Sequence, residues 1–355
     1  MRLLIVFMIV IQSNCVIAQN VSMKSSPIEL PEEAEAPDVH HFVHRAMGTE
    51  FTLMITMREG DVGRDDLAPV ATEAFDAIDM LEHQISSWIA ASDTSRVNRF
   101  AGKRAVEVRS DTYVLFGFSA QTYRDTNGAF DITVGPLIDL WRTSSEQGTS
   151  PAASAIAETL KLTGMDRVRL DSRKRTVHLL ESGMKVSFGG IGKGLALDRA
   201  RGVLERFGVN SALLIAGDSS IYALGAPSGK DFWKISIHNP YNSEGSLGDL
   251  LLRDEALSTS ACYGGVVEDA DDVCDILDPT TGNAVSGMMS ATVVAPSGMQ
   301  TDALSTAFFV MGVDGAAQYC KSHENVKAVL FEIPKNDVPS PHYIGRWSTK
   351  QKKEV

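Results

Sequence analysis

Two groups of residues in this sequence have the types and spacing to do chemistry. The first is the stretch VSFGGIGKGLALDRA, residues 186–200. Gly189, Gly190, Gly192 and Gly194 surround Lys193, and Ile191, Leu195, Arg199, Val203 and Phe207 repeat at helical spacing up to a stop at Gly208. Glycine lets backbone approach a ligand closely. A helix N-terminus with free N–H groups beside a lysine suits an anion. The spacing is not that of a P-loop, because Gly194 follows Lys193 and Ser187 holds the leading glycine position. Nor is it a dinucleotide fingerprint, because Leu195 stands where the third glycine belongs. Phosphate binding and a glycine turn that packs a helix tightly on a sheet both remain open. The second group is Asp302 and Thr306, whose spacing at the start of a helical run puts their oxygens on one side. A carboxylate, a hydroxyl and backbone carbonyls are hard donors suited to Mg²⁺. Spacing alone favours the plainer reading, Asp302 as a helix N-cap with Thr306 on a polar face.

These groups need a scaffold, and the chain is long enough to build one. It has 355 residues, 44% of them hydrophobic, enough for one large domain or two small ones. A net charge of −12 argues against generic nucleic-acid binding. Arg2 and the apolar run Leu3–Ile11 read as a signal-peptide core, with cleavage after Ala18. Cys15 offers a rival reading, a lipid-anchored protein, but Asn14 precedes it where a small residue belongs. The expected product is therefore exported and soluble, and periplasmic. Residues 19–40 read as a flexible leader, 41–335 as the functional domain and 336–355 as a polar tail. Cys262, Cys274 and Cys320 remain after cleavage. Export permits a disulfide, and Cys262 and Cys274 flank a short segment, but three unpaired thiols fit equally.

Residues 42–57 alternate and predict a strand broken at Gly48, and helices are expected over 68–85 and 111–126. Residues 86–100 and the serine-rich 143–155 read as loops. Strands are expected at 166–170, 175–180 and 184–188, ahead of the glycine helix. Residues 212–225 and 232–240 look like sheet strands, and 251–263 with 273–279 like a hairpin. A strand at 290–296, a short helix at 302–312 and a late strand at 326–333 complete the pattern. Hairpins mixed with helices argue an α+β fold rather than a doubly wound sheet.

Read in order, RAMGTEF (45–51), SSWIAASDTSRVN (86–98), GAFDITVGPLIDLW (128–141), FGGIGKGLALDRA (188–200), STSACY (258–263), DILDPTTG (275–282) and SATVVAPSGMQTDALSTAFFVMG (290–312) resemble the ApbE family, the FAD:protein FMN transferases. The resemblance covers roughly residues 42–333. It implies a T-fold-like α+β architecture with FAD in a cleft between two lobes. It also implies Mg²⁺ that helps split the FAD pyrophosphate, and transfer of FMN through a phosphoester to a Thr or Ser of an exported electron-transfer protein. Met47 and Trp88 would then contact the flavin, a flat ring wanting a flat apolar partner; core packing is the alternative for both. Asp131 would order the loop lining the flavin pocket. Gly190, Lys193, Asp198 and Ser260 would approach the nucleotide. Gly192 would offer a carbonyl to the metal held by Asp302 and Thr306, and Thr259 would share the transfer chemistry with Lys193 and Asp275.

The match breaks at named positions. Asp275 stands where the family usually has a histidine, Ser187 where it has an acid, and Ala261 where it has glycine. An aspartate is a weaker base than histidine near neutral pH, although it can accept a hydroxyl proton as the kinase catalytic aspartate does. A metal-dependent FAD pyrophosphatase and a catalytically impaired flavin-binding protein are therefore kept as alternatives.

Overall fold

The structure, a computed structural model, describes residues 28–29, 39–56, 67–238, 246–262, 274–333, 340–348 and 352–353. The signal-peptide and Cys15 readings lie outside the described residues, as does most of the leader.

Ile28–Glu29 forms a short strand, β1. Residues expected as one broken strand form a hairpin of β2 (Val39–Ala46) and β3 (Thr49–Thr56). Its turn is Met47-Gly48, with φ of 52° and 74°. Positive φ at both turn residues matches the right-handed twist of the strands, and glycine supplies it at no steric cost. Helix α1 (Leu67–Ile85) buries the stripe read from the sequence, Val70, Ala74, Ile78, Leu81 and Ile85. The stretch read as a loop after it contains α2 (Asp93–Arg99), capped by Ser92 Oγ, which accepts from Ser95 N–H at 3.0 Å. Only Val97 of this short helix is a buried apolar residue, so no periodicity announced it.

After β4 (Val106–Glu107) comes α3 (Ser110–Asp125), as expected. Helices α4 (Gly135–Glu146) and α5 (Ala153–Leu160) narrow the expected 143–155 loop to the residues between them. Strands β5 (Val168–Asp171) and β6 (Thr176–Leu179) follow. Residues 184–188 do not form the expected strand; Lys185 makes an isolated bridge to Val134, and Ser187 N–H donates to Ile132 C=O at 2.8 Å. Then come α6 (Gly192–Arg206), β7 (Ala212–Ala216), β8 (Ser220–Leu224), β9 (Trp233–His238), β10 (Ser246–Leu252), β11 (Glu255–Ala261) and β12 (Met288–Ala295). The expected short helix at 302–312 is α7 (Gly298–Ser322), which continues past a break at Gly312, φ 68°. Strands β13 (Lys327–Glu332), β14 (His342–Ile344) and β15 (Lys352–Lys353) close the chain.

Eight strands form one antiparallel sheet in the order β14-β13-β12-β11-β8-β7-β3-β2. A second sheet has the order β1-β9-β10-β15 and a third β4-β6-β5. Consecutive strands β10 and β11 thus part into different sheets, and the hairpin expected between 251–263 and 273–279 does not form. The central strands of the large sheet are buried on both faces. On β7, Leu214 joins the core under α1, α6 and α7, while Leu213 and Ile215 join a second core with Trp233, Ile235 and Leu250 of the smaller sheet. Burial on both faces explains why this strand reads as an apolar run rather than an alternation. The sheets also reach past both boundaries drawn from the sequence. Ile28 pairs with Ile237, and β14 joins the large sheet, because Tyr343 and Trp347 pack against the second core. Among the described residues no helix is long and apolar enough to cross a membrane.

Candidate functional site

The N-termini of α6 and α7 meet and cap each other. Helix α6 has no side-chain cap of its own. Instead Gly194 N–H donates to Asp302 Oδ2 of α7 at 2.9 Å. In return, both oxygens of Asp198, on α6, accept from the start of α7: Gly298 N–H at 2.8 Å, Met299 N–H at 3.0 Å and Ser297 Oγ–H at 2.7 Å. The backbones of Gly194 and Gly298 touch, and a Cβ on either would collide with the other's carbonyl. The glycine stretch therefore serves close helix packing, and the same packing brings two positive helix ends together.

That junction borders a cleft of two adjoining cavities. One, of about 300 Å³, is lined by Asp131, Gly190, Lys193, Thr259, Ser260, Asp275, Asp302 and Thr306, among others. The other, of about 340 Å³, is lined by Met47, Trp88, Gly192 and Lys193 with residues of α1. Ser187, Gly189 and Lys193 belong to both walls. Lys193 Nζ lies 3.8 Å from Asp302 Oδ1, close enough for attraction and too far for a hydrogen bond. Thr306 Oγ1 has only long contacts, 3.4 Å to Ser260 Oγ and 3.4 Å to the Asp302 carbonyl. Gly190 lets the loop pass close to it, since a Cβ there would sit 3.3 Å from Thr306 Oγ1. Ser297 is the N-cap of α7, so the reading of Asp302 as that cap does not hold.

Asp275 is exposed and lines the first cavity, with no hydrogen-bond or ion-pair partner among the described residues. The segment behind it is tied down. Val285 N–H donates to Ile276 C=O at 2.9 Å, and Asp278 orders the following turn through Thr280 N–H at 2.8 Å.

Asp131 is buried, and its Oδ1 accepts from Thr133 N–H at 2.7 Å and Thr133 Oγ1–H at 2.6 Å. Burial pushes its carboxyl up to about 6, and the two Thr133 bonds hold it from rising further. The folded chain thus binds this proton more tightly than the unfolded chain. The stability it brings is complete below the unfolded value of roughly 4 and is lost as pH rises through 6. Asp131→Asn keeps a carbonyl acceptor for Thr133 and removes the titration. Its stability relative to wild type should therefore climb by about 2–3 kcal/mol between pH 4 and pH 7.5 in urea unfolding. A pH-independent difference would show that Asp131 titrates normally.

Other expected residues were placed differently. Asp198 does not line either cavity; its oxygens are committed to α7. Asp198→Ala should cost about 1–2 kcal/mol in a urea titration, with Asp198→Asn between it and wild type. Thr259 reaches the cavity wall, but its hydroxyl bonds Thr292 Oγ1 at 2.9 Å within the sheet. Strand alternation turns Ser258 and Ser260 toward α7, where they meet Thr301 and Ser305, each at 2.9 Å, and so turns Thr259 away. Gly192 lines the second cavity rather than the one holding Asp302 and Thr306. Trp88 is no core residue. It is 83% exposed, with the Arg142 guanidinium 5.7 Å from its ring.

Sequence reasoning missed Asn98 and a basic arm of the cleft. Asn98 clamps the backbone ahead of the glycine loop, donating from Nδ2 to Val186 C=O at 3.0 Å and accepting Val186 N–H on Oδ1 at 2.8 Å. Arg99, Arg142 and Lys185 line a third cavity of about 440 Å³ that shares Trp88 and Ser187 with its neighbour. Nothing in the spacing of these residues marks them.

The FAD:protein FMN transferase of Klebsiella pneumoniae is 27% identical over 264 residues, covering 74% of this chain and 81% of the relative. The protein of the same name from Treponema pallidum is 28% identical over 279 residues, covering 74% and 76%. The crystal structure of the ApbE protein from Thermotoga maritima superposes with a TM-score of 0.75 at 27% identity, covering 86% of this chain and 97% of the other. The flavin transferase ApbE from Vibrio cholerae shares the fold, with a TM-score of 0.75 at 22% identity and the same coverage. The model of the ApbE family matches residues 47–330, which include both helix ends, Lys193, Asp275 and Asp302, and the chain therefore belongs to the ApbE family.

Proposed function

We propose that this protein is a FAD:protein FMN transferase acting on an exported redox protein. The observation that carries the reading is the meeting of the α6 N-terminus, Lys193, Asp302 and Asp275 on one cavity wall. Lys193 and the positive N-terminal end of α6 suit the FAD pyrophosphate. Its position between the two cavities lets the two halves of FAD lie on either side. Trp88 and Met47 offer the apolar face for the isoalloxazine ring. The acceptor's Ser or Thr oxygen attacks the phosphorus of the FMN half, the bond to the AMP oxygen breaks, and AMP leaves. Asp275, exposed at the cavity, takes the hydroxyl proton.

The donor set fits Mg²⁺. Asp302 Oδ1 and Thr306 Oγ1 have no close hydrogen-bond partner, and both are hard oxygens on one cavity. Among the described residues no group of three or more His, Cys, Asp or Glu side chains forms a metal cage. Mg²⁺ commonly takes one or two carboxylates and completes its shell with water and substrate phosphates. Bound there, it would neutralise charge developing on the pyrophosphate oxygens.

The test is incubation of the purified protein with FAD and Mg²⁺, with and without a flavin-acceptor domain, following AMP and in-gel flavin fluorescence after denaturation. Acceptor-dependent fluorescence is expected. AMP with no labelled acceptor would replace the transferase by a FAD pyrophosphatase. Bound FAD with neither signal would leave a flavin-binding protein.

A further inference from the structure

Cys262 and Cys274 lie close in sequence to two residues of the cleft wall, Ser260 and Asp275. Cys262 follows the last residue of β11, and its N–H donates to Met289 C=O at 3.1 Å. Cys274 immediately precedes Asp275. Both pack against the helix-side core, Cys274 buried and Cys262 half-buried, and the two thiols lie against each other. Cys320 lies apart on α7 and is buried, its thiol pushed up to about 12 by burial.

We propose that Cys262 and Cys274 form a reversible disulfide that ties the end of β11 to the segment carrying Asp275. Direct thiol contact satisfies the first geometric demand of such a bond. The bond would join the strand bearing Ser260 to Asp275, two parts of one cavity wall. An exported protein meets an oxidising compartment in which such a bond persists. The oxidant is a small disulfide or the disulfide of an oxidoreductase. The Cys262 thiolate, the more accessible of the two, attacks one sulfur of that disulfide and expels a thiolate. The Cys274 thiolate then attacks Cys262 Sγ in the mixed disulfide and expels the second. Two protein thiols lose two electrons, the external disulfide gains them, and the two protons leave with the released thiols. Contact with Cys262, and burial, raise the Cys274 thiol, so the second step, which needs its thiolate, is the slower of the two.

The test equilibrates the chain from residue 19 onward with glutathione buffers of increasing oxidised fraction, blocks free thiols by alkylation, and maps peptides by mass. One species should appear, lighter by two hydrogens, with Cys262 linked to Cys274 and Cys320 alkylated only after unfolding. Its melting temperature should exceed that of the reduced form by roughly 5 °C. The gain should persist in Cys320→Ser and vanish in Cys262→Ser and Cys274→Ser. Independent alkylation of Cys262 and Cys274 at every buffer ratio, or a link to Cys320, would overturn the proposal. The readout is a mass on the wild-type chain, so it stands or falls apart from any transferase activity.

Discussion

Asp302→Asn is expected to slow AMP release from FAD by about 100- to 1,000-fold while leaving the fold intact. The substitution is isosteric, and its carbonyl still accepts the Gly194 N–H, so the α6 cap survives. What it removes is the negative charge beside Lys193, on a residue that lines the cavity with Thr306. The loss should fall on kcat, because the missing charge counts most when the pyrophosphate bond breaks. The measurement is AMP release at saturating FAD, paired with a melting curve. An unchanged rate with an unchanged melting temperature would reduce Asp302 to a helix cap and take the metal reading with it.

Gly194→Ala should unfold or cripple the protein, at a cost of about 3 kcal/mol or more. Helix propensity argues the other way, since alanine is better than glycine inside a helix. The difference lies in the neighbour. A Cβ on Gly194 would overlap the Gly298 carbonyl and sit 2.8 Å from Asp302 Cβ, and none of these atoms is a flexible side-chain end. Gly202, on the same helix, has nothing within 4 Å of an added Cβ. Gly202→Ala should therefore stabilise by roughly 0.5–1 kcal/mol. Urea unfolding of the two variants separates backbone approach from propensity. Equal stability in both would mean that α6 and α7 do not meet as described.

Much of the scaffold was legible in the sequence. The stripe of α1 and the glycine helix follow from the 3.6-residue period, and β7, β12 and β13 follow from apolar runs long enough for strands and too short for helices. The misses share a cause. Helix α2 is held by a serine cap and by Asp93, which accepts Arg109 N–H at 2.7 Å, contacts that leave no periodic trace. The break between β10 and β11 depends on which sheet has an open edge, a property of the assembled fold. For Trp88 the sequence left core packing open beside a flavin contact, since an apolar ring is usually buried, and only the structure leaves it 83% exposed on the cleft.

The site divides along the same line. Residue chemistry, motif order and spacing by themselves determined the family, the α+β class and most of the residues that meet in the cleft, because these depend on side-chain type and local period. Tertiary structure alone decided what each residue does there. It spent Asp198 and one oxygen of Asp302 on capping opposite helices, turned the Thr259 hydroxyl into the sheet, set Gly192 in the neighbouring cavity and put two thiols in contact. A hydrogen-bond donor or acceptor can be used by whichever partner reaches it first, and in a folded chain that partner is set by packing between elements far apart in sequence.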